Sequence, residues 1–370
     1  MKYYLIAGEA SGDLHGSNLI REIRKLDPTA VFRCWGGDLM QEAGAEVVKH
    51  YRDLAFMGFI EVVRNLPTIL RNLRFCKKDL MAFIPDVVIF IDYPGFNIPM
   101  AKFCKGKGLR TVYYISPQVW AWKENRVKTL KKAVDQMLVI LPFERDFYAK
   151  WKYPVEYVGH PLVQVIEEFK GANTQESKEK KGKIVALLPG SRKQEVLTKL
   201  PVMLETSKQF PEIQFIIAKA PSLDDDFYQP IIKGYPNVMA VKGKTYDLLQ
   251  KADAALVTSG TATLETALFG VPEVVCYKAS PISYQIGKRL IRIKYISLVN
   301  LIMDKFVVKE LIQDDCNPDS LTIELRSILF DLKVRERMIS DYDLLRDLLS
   351  KGGLASAKAA ESIWDGLNIN

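Results

Sequence analysis

Histidine is scarce in this chain of 370 residues: His15, His50 and His160 are its three copies, spaced too widely to suggest a metal cluster. Cysteine is sparse and scattered. Cys34, Cys76, Cys104, Cys276 and Cys316 are odd in number and form no CxxC pair. That argues against a structural zinc site and a disulfide framework, and a reducing cytoplasm is the expected setting. No run of about 18 uninterrupted apolar residues occurs, so no membrane-spanning helix is expected. The opening strand Tyr3–Ala7 is too short for a signal-peptide core. Neither GxGxxG at the first loop nor GxxxxGK[ST] anywhere is present, which argues against a dinucleotide fingerprint and against a P-loop ATPase.

What is present is an ordinary globular composition, 48% hydrophobic and 26% charged. The net charge of +8 fits an anionic partner: nucleotide phosphates, an acidic membrane surface or nucleic acid. Short β-branched runs alternate with helical patterns. Strands are expected at Tyr3–Ala7, Val31–Trp35, Asp86–Ile91, Leu109–Ile115 and Gln136–Ile140. A second series covers Ile184–Leu188, Ile213–Ala218, Val238–Val241, Ala254–Val257 and Glu273–Tyr277. Such alternation predicts parallel βαβ units in an α/β fold, with two doubly wound, Rossmann-like domains facing a cleft. The Lys-rich stretch Lys170–Lys183 separates the series, so the expected domains are residues 1–168 and 183–349. The tail from Ser320 reads as helical, with a break at Lys351-Gly352-Gly353 before a last helix of about 350–370.

Ligands of open α/β sheets bind outside the carboxyl ends of the strands, so the loops there carry the functional information. The first, Gly8-Glu9-Ala10-Ser11-Gly12-Asp13, offers glycines for close backbone approach and Ser11 and Asp13 as candidate substrate contacts. A tight turn with Asp13 as the N-cap of the following helix is the alternative, but Glu9 is a carboxylate that a mere turn does not need. Asp92 follows an apolar strand. Partial burial would raise its pKa and suit it to general-base work; capping the helix near Phe96 is the alternative. Trp120 and Trp122, in Ser116–Trp122, either stack on a sugar or anchor their loop. His160 in Gly159-His160-Pro161 reads as a structural hydrogen-bonder or a catalyst.

In the second half, Gly190-Ser191-Arg192 opens a helix after a strand. Free N–H groups and a guanidinium there suit a phosphate. Thr258, Ser259, Gly260, Thr261, Ala262 and Thr263 form a second such start, leading to Glu265, which could accept both hydroxyls of a ribose or simply favour the helix dipole. Asp224-Asp225-Asp226 reads as a helix start rather than a metal motif, and no metal or other cofactor is expected. Two basic amphipathic stretches suit either an anionic bilayer or core packing with a solvated basic face. In Pro67–Phe83, Ile69, Leu70, Leu73, Cys76 and Leu80 share one face, and Arg71, Arg74 and Lys78 another. The apolar run Leu54–Ile60 precedes it. The second stretch is Ile282–Lys294, with Lys288, Arg289 and Arg292.

The ordered set of Gly8–Asp13, Met57–Val62, Ser116–Trp122, Gly159–Leu162, Leu188–Arg192, Ser259–Glu265 and Leu311–Asp314 resembles the lipid-A-disaccharide synthases over nearly the whole chain. The resemblance implies a GT-B glycosyltransferase whose last helix crosses back to the first domain. It implies transfer from UDP-2,3-diacylglucosamine to 2,3-diacylglucosamine 1-phosphate (lipid X), giving a β-1,6 disaccharide and UDP. It also implies Asp92 as base, Glu9 in the acceptor half, and Arg192, the Ser259–Thr263 loop, Glu265 and Asn300 for UDP. The partners so implied are the two acylated sugars and the anionic inner-membrane surface of a Gram-negative bacterium, met from the cytoplasm, with no nucleic acid. Departures from the family pattern are Val299, Lys309 and Glu273, the last in place of an apolar residue. Rival readings are a UDP-N-acetylglucosamine 2-epimerase and a non-catalytic, nucleotide-gated membrane module.

Overall fold

The computed structural model describes residues 1–54, 66–173, 182–280, 284–285 and 293–368. The chain divides into two compact units, Met1–Pro161 with Leu349–Asn370, and Leu162–Leu348. All of Leu54–Ile60 after Leu54, the stretch Met57–Val62, and most of Ile282–Lys294 with Lys288, Arg289 and Arg292 lie outside the described residues.

The first unit holds β1 (Lys2–Ala7), β2 (Val31–Gly36), β3 (Glu46–His50), β4 (Val87–Ile91), β5 (Arg110–Tyr114), β6 (Gln136–Val139) and β7 (Glu156–Tyr157). They form one parallel seven-stranded sheet in the order β3-β2-β1-β4-β5-β6-β7. The second unit holds β8 (Ile184–Leu188), β9 (Gln214–Lys219), β10 (Val238–Lys242), β11 (Ala254–Thr258), β12 (Glu273–Tyr277) and β13 (Lys309–Ile312). These form a parallel six-stranded sheet ordered β10-β9-β8-β11-β12-β13.

Side chains of a strand alternate between its faces, and both faces of these sheets are covered. Along β1, Tyr4 and Ile6 enter one core with Val88 and Phe90 of β4. Tyr3, Leu5 and Ala7 enter the opposite core with Val87, Ile89 and Ile91. Helix Leu66–Phe83 supplies Cys76 and Leu80 to the first core, and helix Ala10–Leu26 supplies Leu19, Ile20 and Ile23 to the second. The expected strands all form. The edge strands β3, β7 and β13 do not appear among them, because a half-exposed edge strand needs no apolar run.

The C-terminal helix Ala355–Asn368 returns to the first unit. Ala359, Ala360 and Ile363 join the core of helix Ala10–Leu26. Gln136 Nε2 donates to Ser362 O at 3.0 Å, and Tyr157 Oη to Leu349 O at 3.0 Å. Glu273 is fully buried in the second unit with neither carboxyl oxygen hydrogen-bonded. Burial holds its pKa well above the ordinary value, which favours the neutral acid in the core.

Candidate active site

Strand order reverses between β1 and β4 in the first sheet and between β8 and β11 in the second. These are the crevices where doubly wound sheets bind ligands. The loops singled out in the sequence leave from those strands.

In the first unit, Ala7 pairs with Ile91, so Gly8-Glu9 and Asp92 emerge side by side. The Tyr93 ring packs so closely that a Cβ on Gly8 would lie 2.3 Å from it. Asp92 and Tyr93 both adopt left-handed backbone, with φ of 43° and 49°. Residues held in such conformations cost on the order of 1–3 kcal/mol each and cluster at functional sites. The turn is pinned through the Asp92 carbonyl, which accepts from Asn97 Nδ2 at 2.8 Å and Tyr113 Oη at 2.6 Å. Asn97 Nδ2 also reaches Ile6 O at 3.2 Å, tying the ends of β1 and β4 together. Burial, and after it the Glu9 carboxylate, pushes the Asp92 pKa up to about 6. A carboxylate so tuned can take a proton from a hydroxyl near neutrality.

Other expectations for this unit are corrected. Glu9, not Asp13, is the N-cap of helix Ala10–Leu26, and Tyr93, not Asp92, precedes helix Pro94–Gly106. Asp13 is buried. Its carboxylate accepts from the Gly37, Leu39 and Met40 backbone N–H groups at 2.8, 3.1 and 3.0 Å. It therefore anchors the start of helix Asp38–Glu42 instead of presenting oxygens to a substrate. Ser11 is exposed in the first turn. Burial lowers the pKa of His15 to about 4. Burial and then His15 lower that of His160 to about 3. Both rings are neutral near pH 7. Trp120 packs edge-on to Phe143 at 5.0 Å, whereas Trp122 remains exposed. Glu144, which the sequence did not flag, is buried beneath that loop, accepts the Leu141 N–H at 3.0 Å, and is raised by burial to about 7.

In the second unit, a cavity of about 450 Å³ opens at the β8–β11 crevice. Ser191, Arg192, Ser259, Gly260, Thr261, Ala262 and Glu265 line it. Gly190 turns with φ of 118°, and a Cβ there would lie 2.4 Å from Glu195 Oε2. That carboxylate accepts the Ser191 N–H at 3.2 Å and fixes the entry to helix Lys193–Ser207. Ser259 Oγ donates to Ile296 O at 2.7 Å. Glu265 accepts from Tyr246 Oη at 2.8 Å, and burial raises its pKa.

Lys219 is a lining residue that the sequence did not flag, whereas Thr258 heads the second phosphate-cradling run. Lys219 ends β9 and pairs with Asp225 at 2.7 Å. Thr258 ends β11, buried, with its hydroxyl unpartnered. Each strand ends one residue beyond its expected C-terminal end.

Two residues assigned to this site are occupied elsewhere. Thr263 is buried and donates to Gly260 O at 2.8 Å, bracing the loop from behind. Asn300 is buried with its amide saturated. Nδ2 donates to Val308 O and Glu310 Oε1, and Oδ1 accepts from Val307 N and Val308 N, all at 2.8–2.9 Å. An amide offers two donors and two acceptor positions, so none is left for a nucleotide. The acidic run starts helix Asp225–Ile232, where Asp225 pairs with Lys219 and Asp224 with Lys242.

Helix Leu66–Phe83 turns Arg71, Arg74 and Lys78 outward. The apolar face read from its spacing is largely the core face, since Cys76 and Leu80 are buried and Leu73 packs against them. Leu70 is the exception. At 46% exposure it joins Phe75 (46%) and Met81 (43%) on the solvent side, among the cations. No helix among the described residues is long and apolar enough to cross a membrane.

A sequence model of the family described as "Lipid-A-disaccharide synthetase" matches residues 3–363. A lipid-A-disaccharide synthase of Geobacter sulfurreducens is 40% identical over 363 residues, covering 96% of this chain and 94% of that one. Among solved structures, a UDP-GlcNAc 2-epimerase of Methanocaldococcus jannaschii, in complex with UDP-GlcNAc and UDP, superposes with a TM-score of 0.68 at 12% identity, covering 99% of this chain and 100% of that one. The calicheamicin glycosyltransferase CalG4 gives 0.63 at 19%, covering 99% and 98%. At these identities the structural likeness establishes the fold alone, the GT-B class of two parallel-sheet α/β domains.

Proposed function

Because the chain belongs to the lipid-A-disaccharide synthase family, we propose that its two crevices divide one sugar transfer between them: UDP at β8–β11, acceptor activation at β1–β4. The enzyme is a UDP-sugar glycosyltransferase of lipid A biosynthesis, with lipid X as acceptor. The observation that carries the division of labour is the cavity at the β8–β11 crevice, where two glycine loops, Arg192 and Glu265 converge. Helix N-termini and a guanidinium suit a diphosphate, and Glu265 suits a ribose. In the first unit, Asp92 accepts the proton of the acceptor 6-hydroxyl while Glu9 orients the sugar. Attack opposite an α-linked UDP inverts the anomeric centre in a single displacement and gives the β-1,6 disaccharide 1-phosphate plus UDP.

Mass spectrometry of a reaction containing UDP-2,3-diacylglucosamine and 2,3-diacylglucosamine 1-phosphate should show the tetraacyl disaccharide 1-phosphate. NMR should show it β-linked; an α-linked product would defeat the single displacement. Incubation of the donor without acceptor should yield no 2-epimer. Epimer formation would favour the isomerase reading.

The same reading places the enzyme on an anionic membrane surface, where its acylated substrates reside. Its support is the outward face of helix Leu66–Phe83, with Leu70, Phe75 and Met81 among Arg71, Arg74 and Lys78. Each cation near such a surface contributes about 1 kcal/mol, weakened by salt. Flotation with phosphatidylglycerol-containing vesicles is expected to be salt-sensitive and to fall sharply when Arg71, Arg74 and Lys78 are changed together to Glu. Unchanged flotation would remove this helix from the account.

A further inference from the structure

The loop after β5 gathers positive charge that the reading above leaves unused. Trp122 stays 46% exposed, with Lys123 Nζ 4.2 Å and the Arg126 guanidinium carbon 5.5 Å from its ring centroid. Cation–π contact at an exposed ring is worth about 0.5–1 kcal/mol. It brings two like charges together, however, and neither forms an ion pair with a carboxylate among the described residues. Burial, and then the nearby Arg126 charge, holds the Lys123 pKa below its ordinary value. An anion placed between the two groups would relieve that repulsion.

The position of the pair selects among anions. β5 is the sheet neighbour of β4, so this loop leaves the sheet beside Asp92. The Arg126 charge also acts on the buried Tyr113 hydroxyl, which donates to the Asp92 carbonyl at 2.6 Å. The pair thus stands on a loop that starts one strand away from the candidate base, at the carboxyl-end side of the sheet. The acceptor carries a phosphate on its anomeric carbon and the reacting hydroxyl at C6, at opposite ends of one hexose. We propose that Lys123 and Arg126, assembled on Trp122, bind the anomeric phosphate of the acceptor and so direct its 6-hydroxyl toward Asp92. An arginine fork and a lysine point charge are the usual complement of a phosphomonoester. The inference rests on the acceptor crevice proposed above and adds the group by which that crevice selects its substrate.

The test compares two acceptors in detergent micelles, 2,3-diacylglucosamine 1-phosphate and the same sugar without phosphate. Arg126→Gln and Lys123→Gln are each expected to raise KM for the phosphorylated acceptor at least ~10-fold, the scale of a lost hydrogen bond to a charged group. KM for the phosphate-free acceptor and inhibition by UDP should stay unchanged, and Arg126→Lys should retain much of the affinity. Equal losses with both acceptors would overturn the proposal. So would unchanged micellar kinetics with weakened flotation on anionic vesicles, which would make the pair a lipid-headgroup contact. Phosphate selectivity is read in KM, so it survives even if another residue proves to be the base. Failure of that assignment is thereby distinguishable from failure of this one.

Discussion

Asp92→Asn is expected to lower kcat by about 10²–10⁴-fold, the usual worth of general-base help, while UDP affinity changes little. Asn is the informative substitution, because Asp92 sits in a left-handed turn with φ of 43°. Asp and Asn tolerate that backbone better than other residues with a Cβ. The variant therefore keeps the turn that Asn97 and Tyr113 hold and loses only basicity. The base works when deprotonated, so the kcat/KM profile of the native enzyme should fall toward acid through about pH 6. Asp92→Asn should abolish that limb. Glu9→Gln removes the like charge that helps hold the Asp92 pKa up, so it should shift the limb to lower pH.

Stability should move in the opposite sense to activity. A carboxyl whose folded-state pKa is raised contributes fully below its unfolded value of 3.8 and loses that contribution as pH rises through about 6. At pH 8 the Asn variant should therefore melt no lower than the native enzyme. If Asp92→Asn keeps near-normal turnover while Glu9→Gln abolishes it, the base is Glu9.

The second large effect belongs to Arg192. Breaking the bond between sugar and UDP leaves negative charge on the β-phosphate, which must be stabilised by helix N–H groups and a cation. Arg192 lines the β8–β11 cavity at the start of helix Lys193–Ser207. Arg192→Ala should lower kcat by at least ~10²-fold, the scale for removing one such donor. Lys should restore only part of it, keeping the charge but losing the planar fork. Turnover should survive EDTA. A strict requirement for Mg²⁺ would instead direct attention to Asp224 and Asp226. Arg192→Ala with unimpaired turnover would leave Lys219, the other cation in the cavity wall, as the phosphate partner.

Local pattern alone locates the buried strands and the loops that follow them. A parallel strand covered on both faces has to be an apolar run, and Val87–Ile91 is one such run in which every residue is buried. It also shows that Glu9, Asp92, Gly190–Arg192 and Ser259–Glu265 stand at strand ends. Local pattern carries no strand order, however. That β1 lies against β4 and β8 against β11 follows from pairings between residues far apart in the chain, and those pairings turn separate loops into two crevices. Nor could the pattern tell which polar side chains were already engaged. Asp13 and Asn300 look like ligands in one dimension, but Asp13 is held by N–H groups of a different turn and Asn300 by the segment that leads into β13. Leu70 illustrates the same limit on a helix. Periodicity places it on the face of Leu73 and Cys76, but the width of the surface covering the helix decides which edge of that face meets solvent, and only packing against the sheet sets that width.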